Sequence, residues 1–569
     1  MKTDFSRRIS RRRFIKYGAA AASLVAMPGL SRAADRPAVT HGVQSGDVSA
    51  DGGVVWARAD RPSQMLVEVS TAESFKDARA LPPIAALPES DFTAKMLLEN
   101  LPAGQDIFYR IKFRDLSHPD ISGEAVSGRF RTAPADRRDV SFVWGGDVAG
   151  QGWGINPDDG GMVSFSTMRK HRPDFLIHSG DTIYADSVFS SEVKLADGKI
   201  WKNLLIPEKT KVAETTDEFR AAHKYNFLDD NVRAFNAEVP IFVQWDDHEV
   251  TNNWSASKQL PAAYKVRDIN LLAARASRAF HEMYPLRESI VEPGRVYRVI
   301  NYGPHLDVFM LDERSYRGPN GPNLQETYGP DAYFLGPEQL AWLKRGLENS
   351  RATWKVIASD MPLSLIVYDD YASKKGSEAF AQGNGPPRGR ELEIADLLTF
   401  IKASHINNTV WLTADVHYAA AHFYNPDHAQ YHDFTPFWEF VAGPLHAGTG
   451  WQNELDNTFR ARGEVCQGSS CRRDPVAVGQ HAIFRSCRNR GRDRANDDHL
   501  ARPHRCRAVV DDASSEADIN APLAEPVSAF CEPLWRFSTR PPAHRSCRVS
   551  AAAACWRALQ EARHRSSSR

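Results

Sequence analysis

The chain has 569 residues, and its 71 Lys and Arg residues balance 71 Asp and Glu residues, so its formal net charge is zero. A neutral chain of this length is expected to form two or three domains. The charge balance excludes bulk electrostatic binding to nucleic acid, and we expect no stable nucleic-acid or membrane partner.

Residues 1–33 are predicted to be a signal peptide for twin-arginine export. SRRRFIK (10–16) matches the export pattern, and a mildly apolar stretch leads to SRA (31–33), a small-x-small cleavage site. The apolar stretch is too short and too rich in Ala and Gly for a stable transmembrane helix. We therefore expect a periplasmic or secreted protein, with the twin-arginine translocase as its partner during export.

Residues 37–134 are predicted to form a small all-β sandwich. Short alternating runs recur here at strand-plus-turn spacing: GGVVWARAD (52–60), QMLVEVSTA (64–72), FTAKMLLENL (92–101), IFYRIKFRD (107–115) and VSGRFRTAP (126–134). LPAGQDIFYRIKF (101–113) resembles the strand-and-turn pattern of fibronectin type III-like modules. No cluster of His or Asp occurs in this region, so we expect it to pack beside the functional site.

Residues 139–459 alternate strand-like and helix-like segments, which predicts an α/β layered domain. The predicted strands are VSFVWGG (140–146), FLIHSG (175–180), PIFVQW (240–245), LDVFMLD (306–312), WKVIAS (354–359), TVWLTA (409–414) and FWEFVAG (437–443). The predicted helices span 162–171, 217–236, 265–283, 337–349 and 390–404.

Three of these apolar segments end abruptly in Asp and His. They are FLIHSGD (175–181), PIFVQWDDHE (240–249) and TVWLTADVH (409–417). Burying unpaired carboxylates and imidazoles costs several kcal/mol, and ligands of open α/β sheets bind at the carboxyl ends of the strands. One or two shared cations would absorb the charge, so the pattern favours a metallohydrolase.

Residues 460–569 differ in composition from the rest. Lys402 is the last lysine, Arg recurs to the end, and all seven cysteines lie beyond residue 465. A stapled tail fits poorly because the cysteine spacings match no ligand pattern, and a basic nucleic-acid tail would normally contain Lys. We favour a frameshifted C-terminus, which predicts a poorly ordered tail.

Four motifs resemble the PhoD-type alkaline phosphatases of the calcineurin-like metallophosphoesterase superfamily. They are HSGDTIYAD (178–186), WDDHEVTNNW (245–254), LDERSYRG (311–318) and LTADVH (412–417), and GVQSGDVSADGGVVWAR (42–58) resembles the N-terminal module of that family. The resemblance implies a four-layer α/β/β/α domain. It also implies a metal-dependent phosphomonoesterase and phosphodiesterase, with Fe(III) and Ca(II) as metals and phosphate mono- or diesters as substrates.

The resemblance and the residue chemistry together give a set of candidate metal ligands: Asp147, Asp181, Tyr184, Asp247, Asp415 and His417. Asp181 is expected to bridge two cations, and a Tyr184 phenolate suits Fe(III). Asp147 stands where the family usually has a cysteine, which opens this position to Mn(II) or Zn(II). A pair of ions would lower the pKa of a bound water, align it with phosphorus and offset the phosphoryl charge, with an alkaline optimum.

Two catalytic residues are predicted beside the metals. His248 is the candidate to touch the phosphate and protonate the leaving oxygen, and Arg314, with Arg317, is expected to face the phosphate. Arg314 has a structural alternative, an ion pair with Asp312 or Glu313.

Several polar residues near the motifs keep two interpretations. His178 is either a ligand or a support for one, Asp360 is a weaker ligand candidate, and Asn252 and Asn253 fit loop caps better than ligands. Asp147 could instead cap the loop through Gly150. By number alone a second metal cluster could form from four histidines, although no spacing supports it: His422, His428, His432 and His446.

Two other functions compete with the phosphatase hypothesis. A phospholipase D-like or nuclease activity could use the same site, and a cell-surface binding module could carry a degenerate site. The motif residues Asp181, His248 and His417 are all in place, which argues against degeneracy.

Overall fold

The computed structural model describes residues 36–195, 198–467, 480–484, 507–512 and 533–538. The predicted signal peptide and most of the 460–569 tail lie outside these residues, so the frameshift hypothesis stays a prediction. Within the described ranges, no helix has both the length and the apolar character that crossing a membrane requires.

The N-terminal part of the described chain is all-β. Its strands are β1 (Val39–Gly46), β2 (Gly53–Ala59), β3 (Ser63–Ser70), β4 (Arg79–Ala80), β5 (Ile84–Ala86), β6 (Thr93–Leu98), β7 (Asp106–Asp115) and β8 (Val126–Arg131). Burial alternates along β7, with Ile107, Tyr109, Ile111 and Phe113 turned inward, as a half-buried strand requires. One sheet contains β3, β4, β5, β7 and β8, and the other face of the sandwich is β1, β2 and β6.

The rest of the described chain alternates strands and helices, as the sequence predicts. The strands are β9 (Val140–Val148), β10 (Phe175–Ser179), β11 (Glu192–Lys194), β12 (Ile200–Lys202), β13 (Ile241–Gln244), β14 (Arg298–Tyr302), β15 (Leu306–Met310), β16 (Trp354–Ala358), β17 (Leu365–Ile366), β18 (Tyr368–Asp370), β19 (Lys375–Ser377), β20 (Thr409–Thr413), β21 (Ala419–Tyr424), β22 (Phe437–Val441), β23 (Pro444–His446), β24 (Glu454–Leu455), β25 (Ala461–Gln467), β26 (Gln480–Phe484), β27 (Arg507–Asp512) and β28 (Pro533–Ser538). The α-helices are α1 (Val163–Lys170), α2 (Thr216–Asn226), α3 (Asp230–Asn236), α4 (Ile269–Met283), α5 (Gly336–Asn349) and α6 (Glu391–Ala403).

Two large sheets and two helical layers form the predicted four-layer α/β/β/α architecture. The first sheet has the order β27-β28-β26-β9-β10-β13-β1-β2-β6, with β23 also paired to β9, and the second has the order β14-β15-β16-β20-β22-β21-β25. Phe142 and Phe242 of the first sheet pack with Val308 of the second in one apolar cluster. Helices α1 to α4 pack on the outer face of the first sheet, and α5 and α6 pack on that of the second.

Parallel pairing sets the position of the functional site. In the first sheet β10 lies between β9 and β13, with His178 opposite Gly145 and Ser179 opposite Gln244. In the second sheet β16 pairs in parallel with both β15 and β20. The loops that follow these six strands therefore leave the two sheets at the carboxyl edge, where α/β proteins bind ligands.

The N-terminal part is continuous with the first sheet. β1 pairs in parallel with β13, with Gly46 opposite Ile241. The Arg298 guanidinium donates to both oxygens of Asp47 at 2.7 Å and to the carbonyl of Val243 in β13 at 3.0 Å. A buried bidentate ion pair thus fastens the end of β1 to the strand that leads into the site.

The prediction of one helix over 217–236 is wrong. The chain forms α2 and α3 here, separated by a turn at 227–229. The Asp229 carboxylate accepts the N–H groups of Asn231 and Val232 and caps α3, and its other oxygen accepts the N–H of Met162 at 2.9 Å. The Asp229 side chain starts a new helix because it accepts backbone N–H groups that would bond to carbonyls of the preceding turn in a continuous helix.

Candidate metal centre

Four candidate ligands at or just after strand ends have an unusual backbone conformation. Asp147, Asp181, Asp415 and His417 have φ of 63°, 47°, 64° and 61°. Positive φ is uncommon for residues other than glycine, and such strain persists where the surrounding structure demands it, often at functional sites. The end of β9 and the loops after β10 and β20 therefore turn sharply and bring these side chains together.

The first group of candidate ligands contains Asp147, Asp181 and His417, whose ligand atoms lie within 4.8 Å of one another. The Tyr184 hydroxyl lies 2.7 Å from His417 Nε2 and 3.3 Å from Asp147 Oδ1. The His417 Nδ1 hydrogen-bonds the carbonyl of Gly448. Because that bond holds a proton on Nδ1, Nε2, which faces Tyr184 and Asp147, is the ring nitrogen placed to bind a metal.

Two further groups overlap with the first. Asp181 also lies with Asp247 and His248, and Asp247 also lies with Asp246 and Asp415, each set again within 4.8 Å. Asp181 and Asp247 therefore each belong to two groups. The bridging role of Asp181 stays a prediction.

Burial and mutual repulsion dominate the electrostatics of these carboxylates. Burial raises the pKa of Asp181 well above its ordinary value, and the charges of Asp247 and Asp246 raise it further. Burial likewise raises the pKa of Asp415, with added repulsion from Asp246 and Asp247. Carboxylates crowded in this way are stable as anions only with compensating positive charge.

Unsatisfied oxygens test whether cations fit this site. Asp147 Oδ2, Asp246 Oδ2 and Asp247 Oδ1 are buried and have no hydrogen-bond partner among the described residues. Buried acceptors normally have a partner, and hard cations bind carboxylate oxygens. The donor set of carboxylates, a phenol and an imidazole fits one or more such ions.

His248 lies at the edge of the carboxylate group. Its Nδ1 is 2.7 Å from Asp186 Oδ1, its Nε2 is 3.8 Å from Asp247 Oδ1, and its ring stacks on Tyr184 at 4.1 Å. Burial opposes the charged imidazolium, but the charges of Asp186 and Asp247 prevail and raise the pKa of His248 to about 10. The side chain keeps 17% of its surface exposed, so it reaches solvent while its neighbours are buried.

Asp186 and Glu249 were not predicted as site residues. Asp186 also accepts the backbone N–H of Asn252 at 2.8 Å, so it fixes both the ring of His248 and the loop after β13. Glu249 accepts the Thr182 N–H and hydroxyl and the Asp246 N–H, which ties together the loops after β10 and β13. Both carboxylates lie in motifs that were singled out, HSGDTIYAD (178–186) and WDDHEVTNNW (245–254). Their closeness in sequence to Asp181 and His248 is the signal from which they could have been predicted.

Arg314 lies beside the candidate metal ligands, in a network of acids. Its guanidinium contacts Asp246, Asp360 and Glu378, and its side chain has no exposed surface. The two acids predicted as partners do not pair with the guanidinium. From Arg314, Asp312 accepts only the backbone N–H, at 3.1 Å. Glu313 accepts the Ser359 hydroxyl and the Met361 N–H. Arg314 is therefore ion-paired, as the alternative interpretation proposes, but with acids from other loops.

Arg317 shares part of this network. It donates to Glu378 Oε1 at 3.0 Å and stacks over Phe334, with its side chain fully buried. Contact of either arginine with phosphate stays a prediction.

The weaker ligand candidates lie around the carboxylate group. Asp360 pairs with Arg314, and burial lowers the pKa of His178 to about 4, so that imidazole is neutral. The Asn253 N–H donates to Asp247 Oδ2. Asn252 and Asn253 thus shape the ligand loop through their backbone.

Three of the four histidines considered as a second metal cluster have separate ring partners. His422 lies 2.8 Å from Glu439, the ring of His446 lies 3.0 Å from the carbonyl of Gly154, and that of His432 lies 2.7 Å from the carbonyl of Pro426. Among the described residues, none of them belongs to a group of candidate metal ligands.

Comparisons with known proteins agree with this geometry. Residues 142–492 match the family model of the PhoD-like phosphatases, and residues 21–134 match the model of the PhoD-like phosphatase N-terminal domain. Alkaline phosphatase D of Bacillus subtilis (strain 168) is 28% identical over 400 residues, which are 66% of this chain and 64% of that protein, so the match spans less than two thirds of the relative. The solved structure of PhoD superposes with a TM-score of 0.56 at 24% identity, over 71% of this chain and 77% of the other.

Proposed function

The chain belongs to the PhoD-like phosphatase family, and from that premise we propose that it is an exported, metal-dependent phosphoesterase that hydrolyses phosphate mono- or diesters. The observation that carries the proposal is the set of three overlapping Asp and His groups at converging strand ends. Neutral packing residues would serve stability better at these buried positions. The carboxylates are retained, we infer, because they hold cations.

The proposed metal ligands are the predicted six: Asp147, Asp181, Tyr184, Asp247, Asp415 and His417. Bound cations supply Lewis acidity, which activates water and offsets charge on a phosphoryl group. Family resemblance favours Fe(III) and Ca(II), and the carboxylate of Asp147 also suits Mn(II) or Zn(II). Asp181 is proposed as the shared ligand because it belongs to two groups.

His248 is the proposed proton donor to the leaving oxygen. Asp186 fixes its Nδ1 at 2.7 Å, which leaves Nε2 on the side of the carboxylate group. A histidine paired with an acid stays protonated at neutral pH and can give its proton to an alkoxide as the ester bond breaks. For Arg314, the predicted phosphate contact, the observed pairing with Asp246 supports a further role in compensating carboxylate charge.

Export is proposed from the N-terminal sequence alone. SRRRFIK (10–16) and SRA (31–33) fit a twin-arginine signal. That route carries folded proteins, so the metals would be inserted before translocation.

We expect the natively purified protein to contain at least two metal ions per chain and to lose phosphoesterase activity after dialysis against chelator. Since cations bind the folded state alone, their removal should also lower the melting temperature, by the equivalent of about 2.7 kcal/mol at a metal concentration 100 times Kd. Elemental analysis, calorimetry and assays with p-nitrophenyl phosphate and bis(p-nitrophenyl) phosphate measure this. Undiminished activity in a metal-free preparation would refute the proposal.

Asp147→Ala should prevent reactivation of the chelated protein, whereas the wild-type apo-protein should recover activity with more than one divalent ion. A carboxylate at this position is a hard ligand and accepts several metals. Titration of the apo-proteins with Mn(II), Zn(II) and Ca(II) checks the expectation. Full reactivation of the variant would show that Asp147 only shapes the loop that follows β9.

A further inference from the structure

Two aromatic side chains beside the metal centre are strongly exposed. Trp451 is 66% exposed and Tyr371 is 58% exposed, and among the Trp, Tyr and Phe residues of 36–462 that the structure describes, Tyr328, at 43%, is the one other exposed ring. Large rings are usually buried because burial stabilises them. Exposed rings next to a polar site are typical of surfaces that bind a ligand.

Trp451 is carried by a loop that packs on a candidate metal ligand. The N–H of Gly450 donates to the carbonyl of His417 at 2.7 Å. A Cβ on Gly450 would lie 2.2 Å from the carbonyl oxygen of Val416 and 3.2 Å from the His417 Cβ. Only glycine permits this approach, which holds the backbone next to Trp451 against the candidate ligand His417.

Tyr371 is carried by the hairpin of β18 and β19, which is fastened to another ligand loop. The backbone N–H of Asn253 donates to Asp247, and its side-chain Nδ2 donates to the carbonyl of Asp369 in β18 at 3.1 Å. The Tyr371 ring also contacts Tyr368 edge to face, with centroids 5.9 Å apart. The hairpin is therefore held at a fixed position beside the candidate ligand Asp247.

Asn453 connects the two loops. Its side-chain Nδ2 donates to the Tyr371 hydroxyl at 2.8 Å, and its backbone N–H donates to the Tyr418 hydroxyl at 3.2 Å. Partial desolvation raises the pKa of Tyr371 to about 12, and the charge of Asp415 adds to the rise, which puts the phenol within electrostatic range of the centre. The Asn453 side chain thus ties the Tyr371 ring to the loop that carries Trp451.

We propose that Trp451 and Tyr371 form an aromatic clamp that contacts the alcohol part of the substrate and favours phosphate esters of planar aromatic groups, such as aryl or nucleoside esters, over aliphatic ones. A planar group stacks on exposed rings without needing specific hydrogen bonds. The phosphate would then face the carboxylate-bound cations while the aromatic group lies outside. This inference rests on the proposed phosphoesterase function.

The test compares phenyl phosphate with glycerol 2-phosphate, two monoesters of equal charge, on the metal-loaded full chain. For Trp451→Ala and for Tyr371→Ala, the ratio of kcat/KM for the aryl ester to that for the aliphatic ester should fall about tenfold. Trp451→Phe and Tyr371→Phe keep a ring and should retain most of the ratio. Tyr328→Ala removes an exposed ring that donates to Glu393 of α6, and this control should leave the ratio at the wild-type value.

The outcomes separate the clamp from the phosphoesterase function. Turnover of glycerol 2-phosphate by the wild-type protein shows that the function stands, whatever the clamp does. An unchanged ratio in both alanine variants, or an equal loss on both esters, would overturn the clamp. If the metal-loaded wild-type protein hydrolyses neither monoester, the clamp fails, and the proposed function fails with it only if bis(p-nitrophenyl) phosphate is not hydrolysed either.

Discussion

Replacing His248 by alanine should lower kcat by about two to four orders of magnitude, the usual contribution of a general acid, and leave the metal content nearly normal. The ring lies at the border of the ligand group, with Nδ1 bound to Asp186 and Nε2 3.8 Å from Asp247. It keeps part of its surface exposed, as a group that meets substrate must. Steady-state kinetics and elemental analysis of the same preparation measure both effects.

Two companion variants sharpen this prediction. Asp186→Asn keeps the shape of the residue that fixes His248 but weakens its charge, so it should lower kcat less than His248→Ala. His118→Ala removes a histidine that lies in the N-terminal part and is 67% exposed, and it should change neither kcat nor metal content. A His248→Ala protein with normal kcat would remove the residue from the mechanism.

Asp181→Ala should abolish activity by losing metal. The carboxylate belongs to two ligand groups at once, so its removal takes a ligand from each. Because burial and repulsion from Asp247 raise its pKa, the side chain is unfavourable without cations. The metal-free variant should therefore be no less stable than metal-free wild type, apart from backbone strain at φ 47°.

Asp181→Asn separates the ligand role from that strain. Asparagine tolerates positive φ better than alanine does, and it can still accept the N–H of His248, which Asp181 accepts at 3.1 Å. We expect Asp181→Asn to lose metal and activity while its apo form melts at or above the apo wild-type temperature. If Asp181 and His248 variants lost metal to the same extent, the division between ligand and proton donor would be wrong.

The sequence predicted the position of the candidate site because its signal is local. Each of β10, β13 and β20 is an apolar run with acids or a histidine at or just after its end, and such residues are costly in a buried strand unless they have a partner. The alternation of strands and helices predicted an α/β layered domain, and the family resemblance implied the four-layer order. The strand ends converge because β9, β10 and β13 are parallel neighbours.

Features that depend on distant pairing could not be predicted. Arg314 meets acids that are 46 to 68 residues away along the chain, and the sequence offered the adjacent Asp312 and Glu313 as nearer partners. The short strands β11, β12, β18 and β19 carry too few apolar residues to show a period. The break between α2 and α3 depends on Asp229, a residue type that occurs in helices as well as at their ends.

Because β1 pairs with β13, the boundary between the two sequence families does not coincide with a boundary between two independent sheets. Family similarity divides the chain at about residue 134, yet the first sheet crosses that point, with Gly46 beside Ile241 and Asp47 bound to Arg298. A catalytic fragment cut there would carry the edge of β13 bare, with main-chain groups free to pair with another molecule. It would also keep a desolvated guanidinium without its acid. We expect such a fragment to self-associate. By covering the edge of β13, the N-terminal part would then protect the rest of the chain from aggregation.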